Sequence, residues 1–261
     1  MRKIRTPRLH WLTYLTLALL LALPSAIPAS ANQDPYADVD VTGEFAFVRV
    51  QYETMFRSRW GSGTWAIDYP DADLNFLRGI ARLTNVRILP EPLVLRLSDE
   101  RIFEYPFLYM LEVGRAGGPL FSAVEAENLR EYLLRGGFLM IDDFWGTQEW
   151  MAFENAFAPV FAGREIIELP HDHEIFSVYY DIDGPQMIPA LGNPENRPER
   201  DVDRASAHAV LDDDGRIMVL INWNTDIGDG WEHTYHPGYP TRYANQAYQL
   251  GLNFLIYAMT H

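Results

Sequence analysis

Asp142 and Asp143 stand side by side after a short apolar run, Phe138-Leu139-Met140-Ile141, which Gly136 and Gly137 separate from an amphipathic segment. Such a run between turn signals reads as a strand buried on both faces. In open α/β sheets, ligands bind beyond the carboxyl ends of such strands, where these two acids would stand. Two other loops carry similar residues: His171-Asp172-His173 and Asp226-Ile227-Gly228-Asp229-Gly230-Trp231-Glu232-His233. If the three meet at one sheet edge, they supply enough carboxylate and imidazole to hold a divalent cation. The candidate metal ligands are Asp142, His171, His173 and Asp226. The His-x-His spacing sets both rings on one side of an extended segment. A bound cation would make hydroxide available near neutrality, with Asp142, Asp143, Asp226, Asp229 and Glu232 as candidates for acid and base work. Each residue has a plainer alternative, as a helix cap, a solvated loop acid, or a histidine bonded to a neighbouring acid.

Other chemistries have less support. The chain has no cysteine, which excludes disulfides, thiolate metal sites and a cysteine nucleophile. The strand-to-helix turn Ile141-Asp142-Asp143-Phe144 carries no serine, so there is no nucleophile elbow. Gly114 to Pro119 is glycine-rich but lacks the lysine-serine ending of a phosphate loop. Asn222, Asn224 and Asp226 have the spacing that opens a calcium loop. Ile227 stands where the tight turn needs glycine, and His233 where it needs glutamate. A glycosidase-like pair, Asp142 or Asp143 against Asp226 or Asp229, depends on separations that spacing does not give.

The elements that must position these residues alternate. Residues 45–52 form a β-branched and aromatic strand, followed by a loop with Arg59, Trp60 and Trp65. Asp71 is the expected cap of a helix that ends near Thr84-Asn85, with Asp73 in its first turn. Strands are expected over residues 93–97, 107–111, 138–141 and 165–169. Ser122 and Glu125 make a capping box for the helix through Arg135, and residues 148–157 a short helix closed by Pro159. Residues 181–203 read as a long surface excursion. A hairpin joins 207–211 to 217–221 across an Asp-Gly turn, and a clear helix closes the chain, with Gly251 where it should approach a strand. The alternation predicts a three-layer α/β sandwich with a mostly parallel sheet and an antiparallel edge.

Several ordered motifs carry a family resemblance: Tyr69-Pro70-Asp71-Ala72-Asp73, Tyr105-Pro106-Phe107-Leu108-Tyr109, Gly136 to Asp143, Leu169-Pro170-His171-Asp172-His173-Glu174-Ile175-Phe176, Asn224 to Glu232, and the closing Leu250 to Ala258. Together they resemble a bacterial exported domain-of-unknown-function family related in fold to class I glutamine amidotransferases and trehalose-utilisation-like domains. The resemblance implies a flavodoxin-like sandwich and brings no activity. The amidotransferase relatives use a cysteine after the central strand, where this chain has Asp142 or Asp143, so glutamine hydrolysis is excluded.

The first residues read as an export signal. Arg2, Lys3, Arg5 and Arg8 precede an apolar segment at 12–23, then Pro24 and Ala29-Ser30-Ala31, with cleavage expected after Ala31. The apolar segment is short of the ~20 residues that a spanning helix needs. Residues 32–43 read as a flexible lead-in and 44–261 as one α/β domain, periplasmic or secreted. The formal charge of −15 argues against nucleic acid or anionic lipid as partner. Without a nucleophile or cofactor fingerprint, the leading expectation is a non-catalytic domain binding a carbohydrate or an envelope protein. Arg59, Trp60, Trp145 and Trp231 are its candidate contacts, with Trp65 and Trp223 as further loop aromatics. The alternative is a metal-assisted hydrolase of a carbohydrate or envelope substrate, with a divalent cation as its cofactor.

Overall fold

The computed structural model describes residues 45–55, 63–193 and 195–261, all within one compact unit, Val41–His261. The expected signal segment, the lead-in, and Arg59 and Trp60 lie outside the described residues.

A seven-stranded sheet forms the middle layer. Its strands are β1 (Val48–Gln51), β2 (Leu93–Arg96), β3 (Phe107–Leu111), β4 (Phe138–Asp142), β5 (Ile167–Glu168), β6 (Ser206–Leu211) and β7 (Ile217–Trp223). They lie in the order β2-β1-β3-β4-β7-β6-β5. The first five of these run parallel, and β6 pairs antiparallel with both β7 and β5. The helices are α1 (Asp71–Leu83), α2 (Ala123–Leu134), α3 (Gly146–Phe161), α4 (Ile227–Glu232) and α5 (Thr241–Thr260). α1, α4 and α5 pack on one another, and α2 packs on α3, so the expected three-layer α/β sandwich is the observed one. Among the described residues no helix is long and apolar enough to cross a membrane.

β3 and β4 are buried at every position, because each lies between two other strands and under helices on both faces. That explains why they read as continuous apolar runs. On one face the core is aromatic. Trp231 of α4 stacks on Phe76 of α1 with ring centres 4.1 Å apart. Gly251 of α5 makes room for this pair: a Cβ there would stand 2.6 Å from Trp231 Cζ2 and 2.7 Å from Phe76 Cε2. Its close approach is thus to two helices and not, as expected from the sequence, to a strand. Gly251→Ala is expected to cost about 1–3 kcal/mol by overpacking, measured as a lower urea midpoint with an unchanged slope.

Two helix ends differ from expectation. Pro70, not Asp71, holds the cap position of α1, with no side-chain cap. α3 continues past Pro159 to Phe161, since Arg130 reaches across from α2 to the carbonyls of Pro159 and Val160. The Ser122–Glu125 capping box is present in full.

Candidate functional site

The carboxyl ends of β1, β3, β4 and β7 open on one edge, and the backbone behaves alike at three of them. The first residue after β3, β4 and β7 is Glu112, Asp143 and Asn224, with φ of 54°, 51° and 58°. Asp68, between β1 and α1, has φ 62°. Left-handed backbone costs a non-glycine residue on the order of 1 kcal/mol, and such positions gather at functional sites. Here it also breaks the alternation of the strand, which would otherwise send Asp142 and Asp143 to opposite faces. The amide of Glu112 clasps the turn by donating to the carbonyls of both Asp142 and Asp143. Asn224 fixes the next exit, accepting from Gly146 N at 2.8 Å and donating to Arg204 O at 3.1 Å.

These exits bring carboxylates together. Oxygens of Asp68, Asp143 and Asp226 lie within 4.8 Å of one another. Asp142 adjoins them: its Oδ2 accepts from Tyr109 Oη at 3.1 Å and from Gly228 N at 3.0 Å. Among the described residues its buried Oδ1 has no partner, and neither has the buried Oδ2 of Asp68, although Asp68 as a residue is only half-buried. Asp143 accepts from Trp145 Nε1 at 2.8 Å. Asp226 caps α4 by accepting from Asp229 N at 2.7 Å. Burial pushes the Asp142 carboxyl up to about 7. Burial first, and then neighbouring acids, hold Asp68, Asp143 and Asp226 well above the ordinary range. The nearby cation, Arg49, is already paired with Asp73 through Nε at 2.9 Å. Among the described residues no basic side chain forms an ion pair with Asp68, Asp143 or Asp226.

A second group borders the first. His233 Nε2 stands 3.4 Å from Asp229 Oδ1 and 3.2 Å from Glu232 Oε2. Asp229 is held from behind by Leu191 N, 2.6 Å from its Oδ2. The contact with Asp229 raises the imidazole above its ordinary pKa, while burial raises Glu232.

The candidates from sequence separate accordingly. Asp142, Asp143, Asp226, Asp229 and Glu232 lie in these neighbouring groups. His171 and His173 do not join either cluster of potential ligands. His171 is exposed, and His173 lies 6.3 Å from the ring of Tyr257. The Tyr257 hydroxyl accepts from Ile217 N at the start of β7, the end of that strand opposite Asn224. The metal set Asp142, His171, His173 and Asp226 is therefore not assembled. Two of the aromatic candidates fail as well. Trp231 has 0% exposure and Trp145 has 4%, so neither offers a free ring face. Trp231 belongs to the core, and Trp145 steers Asp143. Trp223 packs against Trp150, with ring centres 4.8 Å apart. The Gly114 loop packs on α3, where a Cβ at Gly114 would fall 2.5 Å from Glu149 Cβ. Packing accounts for that glycine without a phosphate. Asp143 and Asp226 also lie closer than the ~6.5–9.5 Å separation of an inverting glycosidase pair.

Sequence reasoning missed Asp68, Glu112, Tyr109 and Arg49 as parts of this edge, and named His233 in the third loop without giving it a role. Only Asp68 had a signal, its place just before Tyr69-Pro70 and the helix.

A family model described as a domain of unknown function, DUF4159, matches residues 46–259. The chain belongs to the DUF4159 family. The match spans every strand, so both acid clusters are part of the DUF4159 domain itself. The chain matches none of the curated proteins compared with it.

Proposed function

We propose that this DUF4159 domain is the ligand-binding part of a bacterial envelope protein, exported with cleavage after Ala31. Its ligand would seat at the carboxyl edge of the sheet, over the turns that follow β1, β3, β4 and β7. The observation that carries the reading is the convergence of Asp68, Asp142, Asp143 and Asp226 without a paired cation among the described residues. Burying unpaired carboxylates opposes folding, and core packing does not require them. The edge is also where the strand order turns back, β1 leading to β2 on one side and to β3 on the other, which is where open α/β sheets bind ligands. With Trp145 and Trp231 buried, recognition would rest on carboxylate oxygens accepting from sugar hydroxyls or from a partner protein's donors, more than on ring stacking. A relation in fold to class I glutamine amidotransferases accords with this strand order.

A panel of soluble glycans and envelope-derived fragments, screened by thermal shift and followed by calorimetry, tests the reading. A ligand that stabilises the wild type is expected to bind at least about tenfold more weakly to Asp143→Ala. Binding that ignores this substitution would overturn it. Mass measurement of protein from an envelope fraction checks export, with Asn32 expected as the first residue.

The Asp229–His233 contact favours a second reading, a metal-assisted hydrolase of a carbohydrate or envelope substrate. An imidazole raised by one carboxylate, beside a second acid that burial raises, is equipped to move a proton to a leaving group. Turnover that falls with His233→Gln while ligand affinity stays unchanged would favour this reading over simple binding.

A further inference from the structure

We propose that Asp68, Asp143 and Asp226 hold one divalent cation, calcium by preference, close to Gly228. The inference rests on the reading of the carboxyl edge as the binding surface and names what binds there first. Three carboxylates contribute one oxygen each, within 4.8 Å of one another. Three protein carboxylates on one ion suit calcium, which takes about six to eight oxygens in a flexible shell, better than magnesium, which keeps several waters and takes only one or two carboxylates. An all-oxygen, all-anionic donor set also selects a hard cation over zinc or copper.

Two observations besides the cluster of acids point to a ligand. Among the described residues, Asp142 Oδ1 and Asp68 Oδ2 are buried without a hydrogen-bond partner, although buried polar atoms are almost always satisfied. The other Asp142 oxygen is fixed by Tyr109 and Gly228. The second observation is the convergence at Gly228. A Cβ there would stand 2.7 Å from Asp68 Oδ2, 2.9 Å from Tyr109 Oη and 3.6 Å from Asp226 Oδ1. Side-chain oxygens from three separate elements thus crowd against Gly228, where a larger residue would displace them. Gly228 lacks the positive φ that would explain a glycine by conformation. Trp145 holds Asp143 by its carboxylate and acts as a positioning residue, as hydrogen-bonded neighbours of metal ligands do.

The test titrates the full chain with calcium by calorimetry, and with terbium by luminescence sensitised through Trp145 and Tyr109. The wild type is expected to bind one calcium, and terbium emission to saturate at one equivalent and fall when calcium is added. Asp143→Asn and Gly228→Ala are expected to lower calcium affinity about tenfold or more, with Asp172→Asn, on the exposed loop after β5, as the unaffected control. Gly228→Ala keeps every ligand and displaces the Asp68 carboxylate and the Tyr109 hydroxyl. Should it fail to fold, Asp143→Asn and Asp226→Asn carry the test. Absence of calcium binding by the folded wild type, or binding that survives Asp143→Asn and Asp226→Asn, would overturn the proposal. Repeating the glycan titrations with chelator separates the two readings. Asp143-dependent ligand binding that ignores chelator and calcium would leave the binding surface standing and remove the cation. Calcium binding without any Asp143-dependent ligand would do the reverse.

Discussion

Asp73→Ala is expected to destabilise the fold by about 3–5 kcal/mol, the cost of leaving one partner of a buried ion pair without the other. Arg49 and Asp73 both have 0% side-chain exposure. The guanidinium meets Asp73 through Nε at 3.1 and 2.9 Å and, more closely, through Nη2. Its Nη1 donates to the carbonyls of Trp65 and Ile67, each at 3.0 Å. The charge also lies over the rings of Tyr109 and Tyr69, at 5.1 and 5.8 Å. Lysine cannot reproduce this fork, so Arg49→Lys should recover little of what Arg49→Met loses. Arg49→Met with Asp73→Leu should regain part of the loss, because an apolar pair removes both buried charges together. The carbonyls of Trp65 and Ile67 would remain without their donor and limit the recovery. Urea midpoints at constant slope measure all four variants. A loss under about 1 kcal/mol for Asp73→Ala would mean that solvent reaches the pair. The same contacts tie the segment ahead of Asp68 to β1, so Arg49→Lys should also weaken binding at the carboxyl edge.

The sheet and its edge acids were legible in the chain for a physical reason, and the missing parts were hidden for another. A strand covered on both faces has to be apolar along its whole length, so Phe138 to Ile141 announces itself, and so do the acids that follow. Arg49 sits inside a strand that reads as apolar and aromatic, and nothing local marks it as the partner of Asp73, 24 residues away. Glu112 and Asp68 matter through left-handed backbone, which leaves no trace in residue type: glutamate is a poor choice for that conformation, and the fold imposes it. The His171–His173 pair failed for a topological reason. Spacing can show that two rings share a side, but not which end of the sheet the segment returns to. Trp231 reads as a loop residue and becomes a core residue once α4 folds over β1 and β3, because that helix is too short for periodicity to declare.

Asp142→Asn is expected to stabilise the domain at neutral pH and to flatten its pH profile. Asp142 has 0% exposure, and burial raises its carboxyl from an ordinary 3.8 to about 7. Between those values the folded state binds a proton that the unfolded chain has released. Stability therefore falls as pH rises through that window and is level above it. At 1.36 kcal/mol per pKa unit, the contribution from this one group is on the order of 4 kcal/mol. Asp68, Asp143 and Asp226 are raised by the same burial and add to the slope with the same sign. The half-buried Asp99 and the exposed Glu168 act oppositely. Their arginine partners lower them, so what they contribute is present above the unfolded pKa and is lost on acidification below pH ~4. Urea unfolding of wild type and Asp142→Asn from pH ~4.5 to ~8 isolates the buried group, since the surface pairs are common to both proteins. Asparagine keeps an oxygen for Tyr109 and Gly228 and carries no charge to bury, so the variant should gain most at the alkaline end. Calcium should act on the wild type in the same direction. It binds the ionised carboxylates, so the stability lost between pH ~5 and ~7 should return on adding the cation, and more fully at higher pH. A wild type whose stability rises across this window would show that Asp142 ionises in the folded state with a partner, and both expectations would fall together.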